Sequence, residues 1–283
     1  MSGVAVVTDT THYLPRELVE ANDIREVSLY VNWPDAQVRE SEIGTFDAFY
    51  DRLRGARELP TTSQPSVGDF LAVYEPLLDE GKDVISIHLS GGISGTVESA
   101  RQAAEQCPPG RVQVLDSSTA CGGLGLMALA AAKGARDGIG IEACLAAARQ
   151  ARERLTLWFA IDTLEYLVRG GRIGRAQGMV GSALKIKPIL SVESDITPVE
   201  RVRTSARAFA RMAEMLRTLQ ADGVDGWVVQ HIQAHDEAAR LTDVGREIFG
   251  TEPVFVSEIG PVIGAHVGPG LIGAGGVPRA LVD

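Results

Sequence analysis

Apolar and polar positions in the first 155 residues follow two alternating rhythms. Short apolar runs at 3–8, 25–32, 83–89 and 111–115 read as buried strands. Between them, apolar residues recur every three or four positions. That spacing predicts helices from Pro15 and over 45–54, 66–78, 94–106, 124–136 and 141–154. Pro15 stands where a first helical turn tolerates proline. Ser66 and Asp69 form a capping-box pattern. Such β-α alternation predicts a mostly parallel, Rossmann-like sheet with helices on both faces.

The rhythm changes after Leu155. A strand at 157–161 leads into short helical pieces studded with Gly170, Gly171, Gly174, Gly178 and Gly181. Strands at 186–192 and 197–202 pair across Glu193-Ser194-Asp195. A helix at 205–220, a strand at 226–232, a helix at 236–249 and a strand at 253–258 follow. This change places a domain boundary near 155. Residues 1–155 form an N-terminal α/β domain, and residues 156–283 form a C-terminal α/β domain with a mixed sheet.

Composition narrows the function. The chain has 283 residues, a net charge of −10 and only 5 % aromatics. Nucleic-acid binding needs a basic footprint, so that class is excluded. The charge is uneven: ten basic and four acidic residues between 169 and 217 give +6, leaving −16 elsewhere. Lys185 and Lys187 belong to this basic segment. Three cysteines, Cys107, Cys121 and Cys144, form no C-x-x-C pair, which points to a reducing cytoplasm. The N-terminus lacks the pattern of a signal peptide. The most apolar stretch, 121–132, is too short to span a bilayer.

Ligands of open α/β sheets sit where strands run into helices. Three such turns are rich in hydroxyls and glycines: Thr8-Asp9-Thr10-Thr11, Thr61 to Ser66, and Ser90-Gly91-Gly92-Ile93-Ser94-Gly95-Thr96. Ser94 is the expected N-cap of its helix, where negative charge is favoured. Each turn alone is explained by capping; three together suggest an anion site for phosphate or carboxylate. Gly123-x-Gly125-x-x-Ala128 matches a relaxed dinucleotide fingerprint but does not leave a strand directly, so helix packing explains it better. No P-loop and no G-x-S-x-G elbow is present, and no cofactor is expected. His231 and His235 are four apart, but the strand predicted through Ile232 breaks a shared face, so no metal site is expected. His266 stands apart, within a Gly-Pro-rich stretch at 260–270 that holds an unusual backbone around one titratable ring.

These segments resemble the DegV family, fatty-acid-binding proteins that serve bacterial fatty acid kinase as its FakB subunit. The resemblance rests on Thr8-Asp9-Thr10-Thr11 with Leu14-Pro15, Thr62-Ser63-Gln64-Pro65-Ser66, and Leu89-Ser90 with Ser94-Gly95-Thr96. It continues through Arg169-Gly170-Gly171-Arg172-Ile173, Ile186-Lys187-Pro188-Ile189-Leu190, and His266 with Gly268-Pro269-Gly270. It implies a two-domain DegV-like fold around one long-chain fatty acid, with the carboxylate at the domain junction. Thr62, Ser63 and Ser94 would donate hydroxyls to it, Gly95 a backbone N–H, and His266 would complete the network.

The resemblance also implies a partner: a fatty acid kinase catalytic subunit that phosphorylates the presented acid with ATP. Arg169, Arg172 and Arg175 would then mark the docking face, and loading would bring transient contact with a membrane surface. The sequence departs from the family at Gly91, in place of a second serine, at Val97, in place of a tyrosine, and at Val267, in place of a threonine. Two other readings stand beside this one. Ser94 and His266 could serve a serine hydrolase, or the chain could be a regulatory module that senses a small anion.

Overall fold

The computed structural model describes residues 3–181 and 186–283; Lys185 of the basic segment lies outside them. In the first half, β1 (Val4–Asp9) is followed by α1 (Arg16–Ala21), β2 (Arg25–Val27), β3 (Tyr30–Trp33) and β4 (Ala36–Arg39). Then come α2 (Asp47–Gly55), β5 (Thr61–Ser63), α3 (Val67–Asp79), β6 (Asp83–His88) and α4 (Thr96–Ala104). β7 (Val112–Asp116), α5 (Gly122–Arg136) and α6 (Ile141–Arg154) close this half. The second half contains β8 (Thr156–Ala160), α7 (Glu165–Arg169), β9 (Lys187–Glu193), β10 (Asp195–Val202) and α8 (Ser205–Ala221). It ends with β11 (Gly226–Ile232), α9 (His235–Phe249), β12 (Phe255–Glu258), α10 (Pro261–Val267) and β13 (Leu271–Val277).

Strands β2-β1-β6-β7 form the expected parallel sheet. Its two faces separate along β1: Ala5 and Val7 pack with Phe70, Tyr74, Ala100 and Ala103 of α3 and α4. Val6 points to the other face, toward α5 and α6. The second sheet is mixed, in the order β10-β9-β8-β13-β11-β12, with only β11 and β12 parallel. Met212, Leu216 and Leu241 of α8 and α9 cover one face of it. Its other face joins the cluster around α5, so α5 lies between the two sheets. The glycines and alanines of α5 make this sandwich close enough. A Cβ at Gly123 would stand 2.7 Å from Leu155, and one at Gly125 would stand 2.9 Å from Leu14. The fingerprint-like glycines are therefore packing positions. Among the described residues no sheet mixes strands from either side of residue 155, yet one apolar core crosses that line.

Three local expectations change, and one further strand stands where the sequence reading had placed no element. The strand expected over 25–32 is two strands in different sheets, because Ser28-Leu29 leaves the parallel sheet and β3 starts an antiparallel one. The Thr61 to Ser66 turn begins as an edge strand, β5, paired with β3. The 260–270 stretch contains a helix, α10, with Pro261 at its start and Gly268 at φ +77 after its end. The glycine-rich tail is a strand, β13, at the centre of the mixed sheet. There a Cβ at Gly276 would stand 2.7 Å from the Gly226 carbonyl, so only a bare backbone fits.

Candidate functional site

A cavity of about 910 Å³, counting its open mouth, lies between the ends of the parallel sheet, the mixed sheet and α10. Leu89 and Ala120 line it from the first half, Phe159, Val192 and Leu271 from the mixed sheet, and Val262 from α10. The polar lining is short: Thr62, Ser63, Gln64, Ser94, Arg172, Gln230 and His266, beside the Cys121 thiol.

Two of these polar groups bond each other, and most of the others are held by neighbours outside the lining. Thr62 Oγ1 lies 2.7 Å from His266 Nε2, joining residues 204 positions apart. Ser63 Oγ accepts a 3.2 Å hydrogen bond from Asn32. Ser94 Oγ meets Thr96 Oγ1 at 2.8 Å and accepts the Thr96 N–H. Arg172 donates to the carbonyls of Gly170 and Ile93 at the rim, next to Ser94. Burial, and then the Arg172 charge, push the His266 pKa down to about 4, so the ring is neutral at pH 7.

The structure thus brings Thr62, Ser63, Ser94 and His266 to one cavity. It moves other expectations. Ser94 is not the N-cap of α4; Gly95 is, and the Ser94 hydroxyl serves the N–H two residues on. Gly95 is not among the lining residues. A Cβ there would stand 2.7 Å from Gln64 Nε2, so its bareness seats Gln64 against α4. The Thr8-Asp9-Thr10-Thr11 turn is buried and does not line the cavity; Asp9, Thr10 and Thr11 are hydrogen-bonded within the protein. Of the three arginines, all exposed, only Arg172 lines the mouth; Arg169 pairs with Glu165 at 3.3 Å. The hydrolase geometry is not assembled. Ser94 bonds Thr96 rather than His266, and His266 Nδ1 has no partner.

Sequence reading missed Glu40 and Gln230. Glu40 is buried and accepts from Thr10 at 2.6 Å, Tyr13 at 2.8 Å and the Val262 N–H at 2.8 Å. Burial raises its pKa against the pull of those donors. It thereby ties the start of α10 to the first half. Gln230 accepts the Gly122 N–H and donates to Ser257, fixing the α5 end against β11. A polar residue directly after the apolar Trp227-Val228-Val229 run of β11 was the available signal for the second; none marked the first.

The family model described as "Uncharacterised protein, DegV family" matches residues 3–279. The chain belongs to the DegV family. It is 40 % identical over 274 residues to a DegV domain-containing protein of Streptomyces coelicolor, covering 95 % of this chain and 96 % of that one. Its fold superposes with a TM-score of 0.88 on a structure described as showing fatty acid binding of a DegV family protein from Thermus thermophilus. That pair is 36 % identical over 97 % of this chain and 99 % of the other. The structure of DegV from Bacillus subtilis, described as a fatty acid binding protein, gives 0.87 at 35 % identity, with 97 % and 99 % covered. The parallel-sheet and mixed-sheet parts are therefore the DegV architecture.

The structure explains why this DegV chain carries glycine at several of its motif positions. A Cβ at Gly170 would collide with His266 Nδ1 and stand 3.1 Å from the Tyr166 carbonyl. Gly170→Ala is expected to displace the ring at a cost of about 1–3 kcal/mol. An NMR titration reads the outcome: the imidazole loses its depressed pKa, and a ring still titrating near 4 would contradict this account. At Gly91, Asp116 accepts the backbone N–H at 3.2 Å and occupies the space a serine side chain would need. Val267 lines the cavity, so its departure from the family threonine makes the wall more apolar.

Proposed function

We propose that this chain binds one long-chain fatty acid, with its tail in the apolar cavity and its carboxylate at Thr62, Ser63, Ser94 and His266. The observation that carries this reading is the Thr62–His266 pair set into a cavity whose walls are mainly apolar. A tail of about fifteen methylenes at ~0.8 kcal/mol each offers up to ~12 kcal/mol before ordering costs. A buried carboxylate without donors is expensive, and the hydroxyl cluster answers that need. The Thermus and Bacillus relatives described as binding fatty acids support the same reading. The apolar walls favour it over a sensor of a small phosphorylated anion.

The acid is then presented to a separate ATP-dependent kinase in the cytoplasm, which docks on the face bearing Arg169, Arg172 and Arg175. The chain itself supplies neither ATP site nor cofactor, and the two halves meeting near 155 act as the domains that clasp the ligand. Among the described residues no helix is long and apolar enough to cross a membrane. Transient contact with a membrane surface during loading belongs to the same proposal. Denaturing mass spectrometry after refolding with oleate or palmitate should recover one acyl chain per protein; recovery of none refutes the reading. Arg175 lies outside the cavity lining, so Arg175→Glu should impair acyl-phosphate formation while sparing binding. Loss of both together would reject the docking face. Arg172 is a poorer probe, because it borders the carboxylate end.

A further inference from the structure

The expectation that His231 and His235 cannot share a face fails for a local reason. Gln233 adopts φ +51, and this sharp left-handed turn folds the start of α9 back over the end of β11. The rings of His231 and His235 meet edge to face at 4.5 Å. Glu258 joins them because it is the register partner of His231 in the parallel β11–β12 ladder. One donor atom from each of the three residues lies within 4.8 Å of the others. From this we infer a divalent-cation site, of the zinc class, made by His231, His235 and Glu258.

Two imidazoles and a carboxylate are a donor set that zinc accepts, with a fourth position left for water. Bonds of about 2.0–2.2 Å hold tetrahedral donors about 3.3–3.6 Å apart. Closure therefore needs a swing of about an ångström, and the exposed His235 ring is free to make it. The carboxylate is oriented from outside, since Gln233 donates to Glu258 Oε1 through its backbone N–H at 3.1 Å and its side chain at 2.9 Å. Such outer partners fix a ligand's direction. Gln233 is in turn held by Asp47 and Arg54 across the structure. His231 gives up only a long 3.4 Å contact from the Ala234 N–H. The positive end of α9 opposes a cation, and Asp236 and Glu237 in its first turn offset that. The chain runs from Glu258 through Ile259, a cavity residue, directly into α10. A bound ion would pin the strand end from which the His266 helix departs.

The test uses the untagged full chain, stripped with chelator and titrated with zinc chloride alone by calorimetry. Losing an outer-shell partner costs about 10–100-fold in metal affinity. His235→Ala and Glu258→Gln, which remove direct ligands, should each weaken binding by at least about tenfold. His235 is exposed, so its variant keeps the fold, which circular dichroism verifies. Saturable binding of one zinc in the parent chain, weakened in both variants, supports the site. No saturable binding, or binding unchanged by His235→Ala, overturns it. Neither result bears on fatty-acid binding, so this inference and the functional reading stand or fall separately.

Discussion

Asp9→Ala is expected to remove about 3–5 kcal/mol of folding stability, because each buried donor left without its acceptor costs about 1–3 kcal/mol. Asp9 has no exposed surface. Its Oδ1 accepts the N–H and hydroxyl of Thr11, and its Oδ2 accepts the Leu89 N–H at 2.9 Å and meets His88 Nδ1 at 3.0 Å. His88 continues the chain through Ser86 to Tyr74, at 2.6 Å for each step. An alanine would leave these donors buried without an acceptor. Burial by itself pushes the Asp9 pKa up, but the His88, Thr11 and Leu89 contacts outweigh it and hold the group below its ordinary value. A depressed acid stabilises fully above its unfolded value, and this contribution fades as pH falls through the folded value. Denaturant unfolding of the variant measures the loss. The exposed Glu165→Ala, which removes only a surface pair, is the control and should cost under about 1 kcal/mol. A loss below about 1 kcal/mol for Asp9→Ala would show that the network is not structural.

Thr62→Val and His266→Ala are each expected to weaken fatty-acid binding by about 10–100-fold. A hydrogen bond to a charged group is worth about 1.5–3 kcal/mol, and each factor of ten is about 1.4 kcal/mol. The tail's apolar burial is untouched, so binding weakens without vanishing, and lipid titration by calorimetry reads the difference. Affinity unchanged in both variants would place the carboxylate elsewhere. His266 adds a pH signature to the ligand-free protein. Its pKa is 6.5 unfolded and about 4 folded, so the unfolded chain binds the extra proton between those values. Stability therefore falls as pH drops from 6.5 toward 4, by up to about 3 kcal/mol. His266→Ala should remove that part of the slope. A bound carboxylate favours the charged ring and should reduce the loss.

Local pattern settled much of this protein. Apolar runs and helical spacing located the strands of the parallel sheet, the Ser66–Asp69 capping box, the hairpin around Ser194 and the helices that cover both sheets. Those elements draw their stability from neighbours in sequence or from a face whose period is visible. The same reading marked the hydroxyl-rich turns that hold Thr62, Ser63 and Ser94 and the Gly-Pro stretch around His266, and the DegV resemblance singled out these four residues.

What tertiary structure alone decided has a common physical cause: partners supplied from far along the chain. The α10 helix has seven residues and no capping side chain at its N-cap. Its first N–H groups are instead met by Glu40 and by the Tyr13 hydroxyl, more than two hundred positions away. The β13 strand lacks strand-forming residues at Gly273, Gly275 and Gly276, and it exists because β8 and β11 close on both its edges. The His266 pKa falls to about 4 only through burial and the charge of Arg172, and its Thr62 partner comes from 204 positions away. His231 and Glu258 become neighbours only through the parallel ladder of β11 and β12. Sequence named the groups that could do chemistry; which of them share a cavity depended on packing two sheets around α5.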